Sequence, residues 1–161
     1  MKKIMLLTLA LLVTPVSLFP HFKTIEECHN FSLQLLTSVS QGDLTIVQGL
    51  IDAGVNVNVH DKHGMTALHL ALTPDKEEVL KALLKAGANS NIRSALGRTP
   101  LMEAALHGYL KTVVILVQAK ALVDLQDNRG FTALMLAEMA GHKDIAAYLK
   151  LVQNSKLKNH S

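Results

Sequence analysis

The sequence has one cysteine, Cys28, and no tryptophan, and only 4% of its residues are aromatic. A single thiol excludes an intramolecular disulfide framework. It also excludes the paired-cysteine spacings that hold structural zinc. Charged residues make up 18% against 49% hydrophobic, which is too apolar for a disordered chain. There is no Gly-rich phosphate loop and no Gly-x-Ser-x-Gly turn, so the short motifs of nucleotide binding and nucleophilic hydrolysis are missing. The net charge is +3, and removal of Lys2 and Lys3 with a leader would leave +1. A balance that small argues against a nucleic-acid partner, which calls for a concentrated basic face.

Leucine and alanine are plentiful, and they recur. A shift of 33 residues lays Gly64 on Gly97 and Gly130, Thr66 on Thr99 and Thr132, and Leu68 on Leu101 and Leu134. Ala71 meets Ala104 and Ala137, Leu83 meets Leu116 and Leu149, and Asn91 meets Asp124. Backwards, the same shift puts Gly54 under Gly87, Asn58 under Asn91 and Leu50 under Leu83. A fixed period of this length marks a solenoid of stacked supersecondary units.

The N-terminus, Met-Lys-Lys followed by the apolar run Ile4 to Val13 and then Pro15, has the layout of a secretory signal. Residues 1–20 are therefore expected to be a signal peptide. An uncleaved anchor or a buried cap helix are the alternatives. The run is well short of the ~20 residues that span a bilayer. Export would leave Cys28 as a lone thiol in an oxidising compartment, either buried in the first helix or paired between molecules.

From Thr24 the pattern is helical. Thr24 and Glu27 have capping-box spacing, and Phe31, Leu35, Leu36 and Val39 make an apolar stripe broken at Gln41-Gly42-Asp43. A second helix over Leu44–Ala53 closes at Gly54. In the next unit Asp61-Lys62-His63-Gly64 is a turn and Thr66 caps a short helix to about Leu72. Thr73-Pro74 then opens a helix whose buried stripe is Val79, Leu80, Leu83 and Leu84. Gly87 ends it, and residues 88–93 lead out extended to the next turn.

This order, with GMTALHLAL, GRTPLMEAA and GFTALMLAE at the unit starts and LIDAGVNVN and LLKAGANSN at the ends, resembles the ankyrin repeat. The resemblance implies an all-α ankyrin-repeat solenoid of about four helix-turn-helix units, joined by β-hairpin loops, over residues 24–155. The units are about 25–60, 61–93, 94–126 and 127–155, and 156–161 is expected to be a frayed tail. Departures mark the third unit as the weak one. Lys120 stands where Gly54 and Gly87 end their helices, at a position that favours a left-handed residue. Met102 and Met135 replace His69, whose family role is a structural hydrogen bond beside the threonine, and both methionines are expected in the core.

No catalytic constellation is present, so no enzymatic activity, cofactor or metal is expected. His60 and His63 offer two ligands at most. His142 matches the family's Gly-His turn, a structural role. By the resemblance the chain is a protein-binding module whose partner meets the concave face and hairpin tips. The positions there are His60, Lys62, His63, Met65, Arg93, Leu96, Arg98, His107, Gln126, Arg129 and Phe131. They make a basic line of Lys62, Arg93, Arg98 and Arg129 beside the apolar Met65, Leu96 and Phe131. Arginine and aromatic side chains are the usual anchors of interfaces. The expectation is a monomeric periplasmic or secreted protein with a protein partner, meeting a membrane only if the leader is retained. The alternative is a tethered or self-associating scaffold that uses the leader and Cys28.

Overall fold

The computed structural model describes residues 25–158, with side chains from residue 30 to residue 155. The leader and the expected cap at Thr24 lie outside the described residues. Helices come in pairs: α1 (Ile25–Gln41) with α2 (Leu44–Asp52), α3 (Ala67–Leu70) with α4 (Glu77–Lys85), α5 (Pro100–Leu106) with α6 (Leu110–Gln118), and α7 (Ala133–Met139) with α8 (Lys143–Lys158). The first helices stack in the order α1, α3, α5, α7, while α2 packs on α4 and α6 on α8. A single core runs the length of this stack. It contains Leu35, Val39, Val47, Leu68, Leu80, Leu83, Leu101, Leu116, Ile145 and Leu149, each essentially without exposure. The positions matched by the 33-residue shift thus form one layer per unit, and each unit buries its apolar face only against its neighbours.

Local chemistry sets the element ends. Asp43 accepts from the Ile46 amide at 3.1 Å, Thr99 from Met102 at 3.4 Å and Thr132 from Met135 at 3.3 Å, each satisfying a first-turn donor. Three of the second helices end alike. The residue just past the cap is left-handed and its amide bonds the carbonyl three residues back, while the following amide reaches one residue deeper. Val55 N to Leu50 O is 3.1 Å, Ala88 N to Leu83 O 2.9 Å and Ala121 N to Leu116 O 3.0 Å. Glycine holds that position at 54 and 87, with φ of 78° and 86°. Lys120 holds it at φ 67°, a left-handed lysine where the period requires glycine.

Three expectations change in detail. The connecting loops are tight turns rather than β-hairpins: among the described residues the one bridge is between His60 and Thr66. Each turn is closed by one backbone bond, Asp61 N to Met65 O, Ser94 N to Arg98 O and Asp127 N to Phe131 O, too few to make a ladder. Residues 88–93 are likewise turned, not extended, with the Asn89 side chain accepting from the Asn91 amide at 2.9 Å. α3 stops at Leu70, and Thr73-Pro74 opens a short 3₁₀ turn, Pro74–Lys76, before α4 begins. The last helix runs to Lys158. No glycine or proline follows Gly141 to stop it.

A polar ladder runs along the loops beside the second helices. Asn58 accepts from the Asn89 amide at 2.8 Å, and Asn91, one period later, accepts from the Leu122 amide at 2.8 Å. Asp124 is the third in register, and its carboxylate accepts from the Gln153 side chain on α8 at 2.8 Å. Units two and three are further joined by Thr112, whose buried hydroxyl donates to the Leu72 carbonyl at 2.9 Å, and by an ion pair of Lys111 with Glu77.

Candidate partner-binding surface

The tips lie between the units, over residues 60–66, 93–99 and 126–132. In the first and last, an aspartate folds the turn: Asp61 accepts from His63 and Met65, and Asp127 from Arg129 and Phe131, all within 2.8–2.9 Å. Burial alone would raise the Asp127 carboxyl, but the Phe131 and Arg129 amides and the Arg98 guanidinium outweigh it and hold it below the usual carboxylate range. The middle tip has Ser94 in that register. Its hydroxyl is buried without a partner and cannot reach two amides.

Neighbouring tips touch through their backbones. Ala95 N donates to His63 O at 2.9 Å, and Asn128 N to Leu96 O at 3.2 Å. Asn128 adds its side-chain amide to Ala95 O at 3.0 Å. Gly64 and Gly97 allow this approach. A β-carbon on Gly64 would sit 2.9 Å from Ala95 N, and one on Gly97 2.7 Å from Asn128 N, besides striking the Asn128 side chain.

Of the basic line, Lys62, Arg93 and Arg129 are exposed and Arg98 is not. Arg98 turns inward, with 16% of its side chain exposed, to lie 3.4 Å from Glu103 and 3.5 Å from Asp127. Glu103 is buried at a position where the period puts Leu70 and Leu136, and Arg98 supplies the charge that such burial demands. Arg93 is a clasp between tips, donating to Gly97 O at 2.9 Å and to Gln126 O at 2.6 Å, although it stays exposed. Arg129 lies over the Phe131 ring at 5.2 Å, and Phe131 itself packs partly against the core. Met65 is half-buried, whereas Leu96 is 61% exposed and stands clear. His60, His63 and Gln126 are exposed. The His60 ring meets the Asp61 carbonyl at 3.0 Å.

The remaining histidines divide by role. His69 is buried and spends both ring nitrogens. Nδ1 accepts from the Thr66 amide at 3.2 Å, so Nε2 carries the proton given to the Arg98 carbonyl at 3.1 Å. Burial lowers its pKa below the ordinary histidine value, against a smaller opposing pull from the Arg98 carbonyl, Glu103 and Asp61. His142 donates from Nε2 to Leu106 O at 3.1 Å and its ring fills the space over Gly108. His107 is exposed and stacks on Tyr109 at 5.8 Å, with Nδ1 2.8 Å from the Glu103 carbonyl oxygen. Met102 is buried, its sulfur 3.5 Å from the Thr99 amide, in partial replacement of the histidine. Met135 corrects the expectation of a core residue: it is 45% exposed, because no described unit packs beyond α7. Among the described residues no group of three His, Cys, Asp or Glu side chains is placed to hold a metal ion, and no helix is long and apolar enough to cross a membrane.

The family model for ankyrin repeats (three copies) matches residues 33–127 and again 75–159, which together make up well over half of the sequence. The chain belongs to the ankyrin-repeat family. Among known proteins it is similar to the potassium channel AKT2/3 of Arabidopsis thaliana, 30% identical over 60 residues. That stretch is 37% of this chain and 8% of the channel, so the chain spans less than a tenth of that relative. Ankyrin repeats mediate protein–protein interaction and are typically non-enzymatic. In this ankyrin stack the residues that resemblance alone did not single out are Glu103, Asp127 and Asn128, which anchor Arg98 and tie the tips. The period held one signal for them, since Glu103 breaks an otherwise leucine position and Ser94 an otherwise aspartate one.

Proposed function

We propose that this ankyrin-repeat protein is a non-enzymatic binding module that takes a protein partner across its tips and concave face, and that it works outside the cytoplasm after export. The observation that carries this reading is the state of the tip side chains. Lys62 and Arg129 are exposed charges with no hydrogen-bond or ion-pair partner in the described chain, and Leu96 is an exposed aliphatic group between them. Beneath them the backbone is fixed by the aspartate turns and tip-to-tip hydrogen bonds, so a partner meets a preorganised surface and little ordering entropy opposes binding. Export is supported by the charged, apolar and proline-bounded pattern of residues 1–20.

The test is partner capture by chemical cross-linking in the compartment where the protein resides. Lys62→Glu combined with Arg129→Glu should abolish capture while the melting curve stays that of the parent; undiminished capture would remove the tips from the interface. Arg98 is unsuitable for such a swap, because a carboxylate there would face Glu103 and Asp127. Intact mass and N-terminal sequencing of the recovered protein test export. A chain starting near residues 18–22 supports it, and one starting at Met1 in the membrane fraction favours a tethered scaffold.

A further inference from the structure

The 33-residue register places His63, Leu96 and Arg129 at one point of three successive tips, with Lys62 beside His63. All of these side chains are exposed. The tips show positive charge outward, and their fully exposed side chains include no carboxylate. Asp61 and Asp127, the carboxylates within them, are each turned in to accept two backbone amides. Arg93 adds a further exposed guanidinium, held against backbone carbonyls with no acid to offset it.

We propose that this row is a track for an extended acidic segment of a protein partner, with an apolar side chain seated on Leu96 and a carboxylate three residues to either side. The inference rests on the reading of the tips as a binding surface and names what that surface selects. Stacked helices set neighbouring units about 8–10 Å apart. An extended chain advances about 3.3 Å per residue, so one tip corresponds to three residues of ligand. The complementary sequence is therefore acid-x-x-apolar-x-x-acid. One carboxylate lies at Lys62 and His63 and the other at Arg129. A phosphate backbone would match the charges but has no group for an exposed leucine at the centre of the row, and an anionic membrane would impose no spacing between the charges. Exposed ion pairs contribute a factor of up to about five each, and salt weakens them. The apolar seat fixes register, and the two charges select the sequence around it.

The experiment is selection of a random twelve-residue peptide display library on the full-length protein, repeated on the Lys62→Glu, Arg129→Glu double variant and on Leu96→Ser. Enrichment of the acid-x-x-apolar-x-x-acid pattern is expected. A synthetic peptide of that pattern should bind the double variant more weakly, by a factor of up to about twenty-five, and an isomer with the acids moved one residue inward should bind the parent no better than a scrambled control. Enriched peptides without acids that still depend on these tip residues would overturn the acidic track and leave the tips as the binding surface. Enriched peptides indifferent to the variants would overturn both readings. No enrichment, or binding only to an oligonucleotide or to vesicles containing phosphatidylserine, would overturn the proposal.

Discussion

Replacing Lys120 with glycine should make this protein more stable. Lys120 is the non-glycine residue with positive φ among the described residues, at 67°, in a helix-ending motif that Gly54 and Gly87 complete at 78° and 86°. The hydrogen bonds of the motif are the same in all three, so the difference lies in the β-carbon. A left-handed residue with a β-carbon costs about 1–2 kcal/mol, and the extra freedom glycine gives the unfolded chain returns about 0.4–1 kcal/mol of that. A net gain of about 0.5–1 kcal/mol remains. For a folded region of this size it corresponds to a rise in melting temperature of about 2–4 °C. Urea unfolding followed by circular dichroism measures it, with Lys120→Ala as the control. Alanine removes the long side chain and keeps the strained β-carbon, so it should change stability by less than about 0.5 kcal/mol. If alanine stabilised as much as glycine, the benefit would come from losing the lysine charge or stem, and the backbone argument would be refuted. A glycine variant with an unchanged midpoint would refute it equally.

Three further outcomes are expected. Gly97→Ala should cost clearly more than Gly130→Ala in the same assay. Both have positive φ and share a strain of about 1 kcal/mol, but only at Gly97 does the new methyl strike the Asn128 backbone, whereas nothing lies within 4 Å of it at Gly130. Ser94→Asp should raise stability by about 1 kcal/mol, because it gives the middle tip the two-amide acceptor of Asp61 and Asp127 in place of an unpartnered hydroxyl; an unfolding midpoint at or below that of the parent would contradict this. The His69 pKa is depressed in the folded state, so the unfolded chain binds more protons on descending through its ordinary value of 6.5. The stability His69 confers is present above that pH and is lost as pH falls toward the folded value. His69→Met, which copies the residue the next unit uses, should flatten the dependence of unfolding free energy on pH below 6.5; an unchanged slope would assign the acid sensitivity elsewhere.

What the sequence disclosed and what it withheld follow from the range of each interaction. The 33-residue period and the left-handed position of Lys120 are properties of the chain itself and could be read directly; of the threonines the period aligns, Thr99 and Thr132 cap their helices, whereas the Thr66 hydroxyl meets His69 Nδ1 at 2.9 Å instead. His69 was legible through resemblance to ankyrin repeats, and its two hydrogen bonds bear that role out. Arg98 was misplaced because its direction is set by Asp127, one unit further along, and by a buried Glu103 that the leucine pattern gives no reason to expect. Met135 was misplaced for the converse reason. The core position it inherits from His69 and Met102 exists only when another unit stacks on it, and periodicity carries no information about where stacking stops. Leu96 is legible as a tip residue from the period, but its 61% exposure depends on the packing of the neighbouring tips, which only the folded structure displays.

The contact of Gln153 with Asp124 bears on assembly. In the interior of the stack each ladder side chain is answered by the backbone of the unit that follows, a head-to-tail arrangement with no built-in end. Surfaces that repeat in this way are prone to continue from one molecule to the next, and a non-closing contact of that kind gives fibres. At Asp124 the acceptor is already engaged by a side chain of the same polypeptide. A second molecule approaching that rung would meet an acceptor oxygen that already has a donor. One glutamine on the last helix thus occupies the rung that the backbone of a following unit fills elsewhere in the stack.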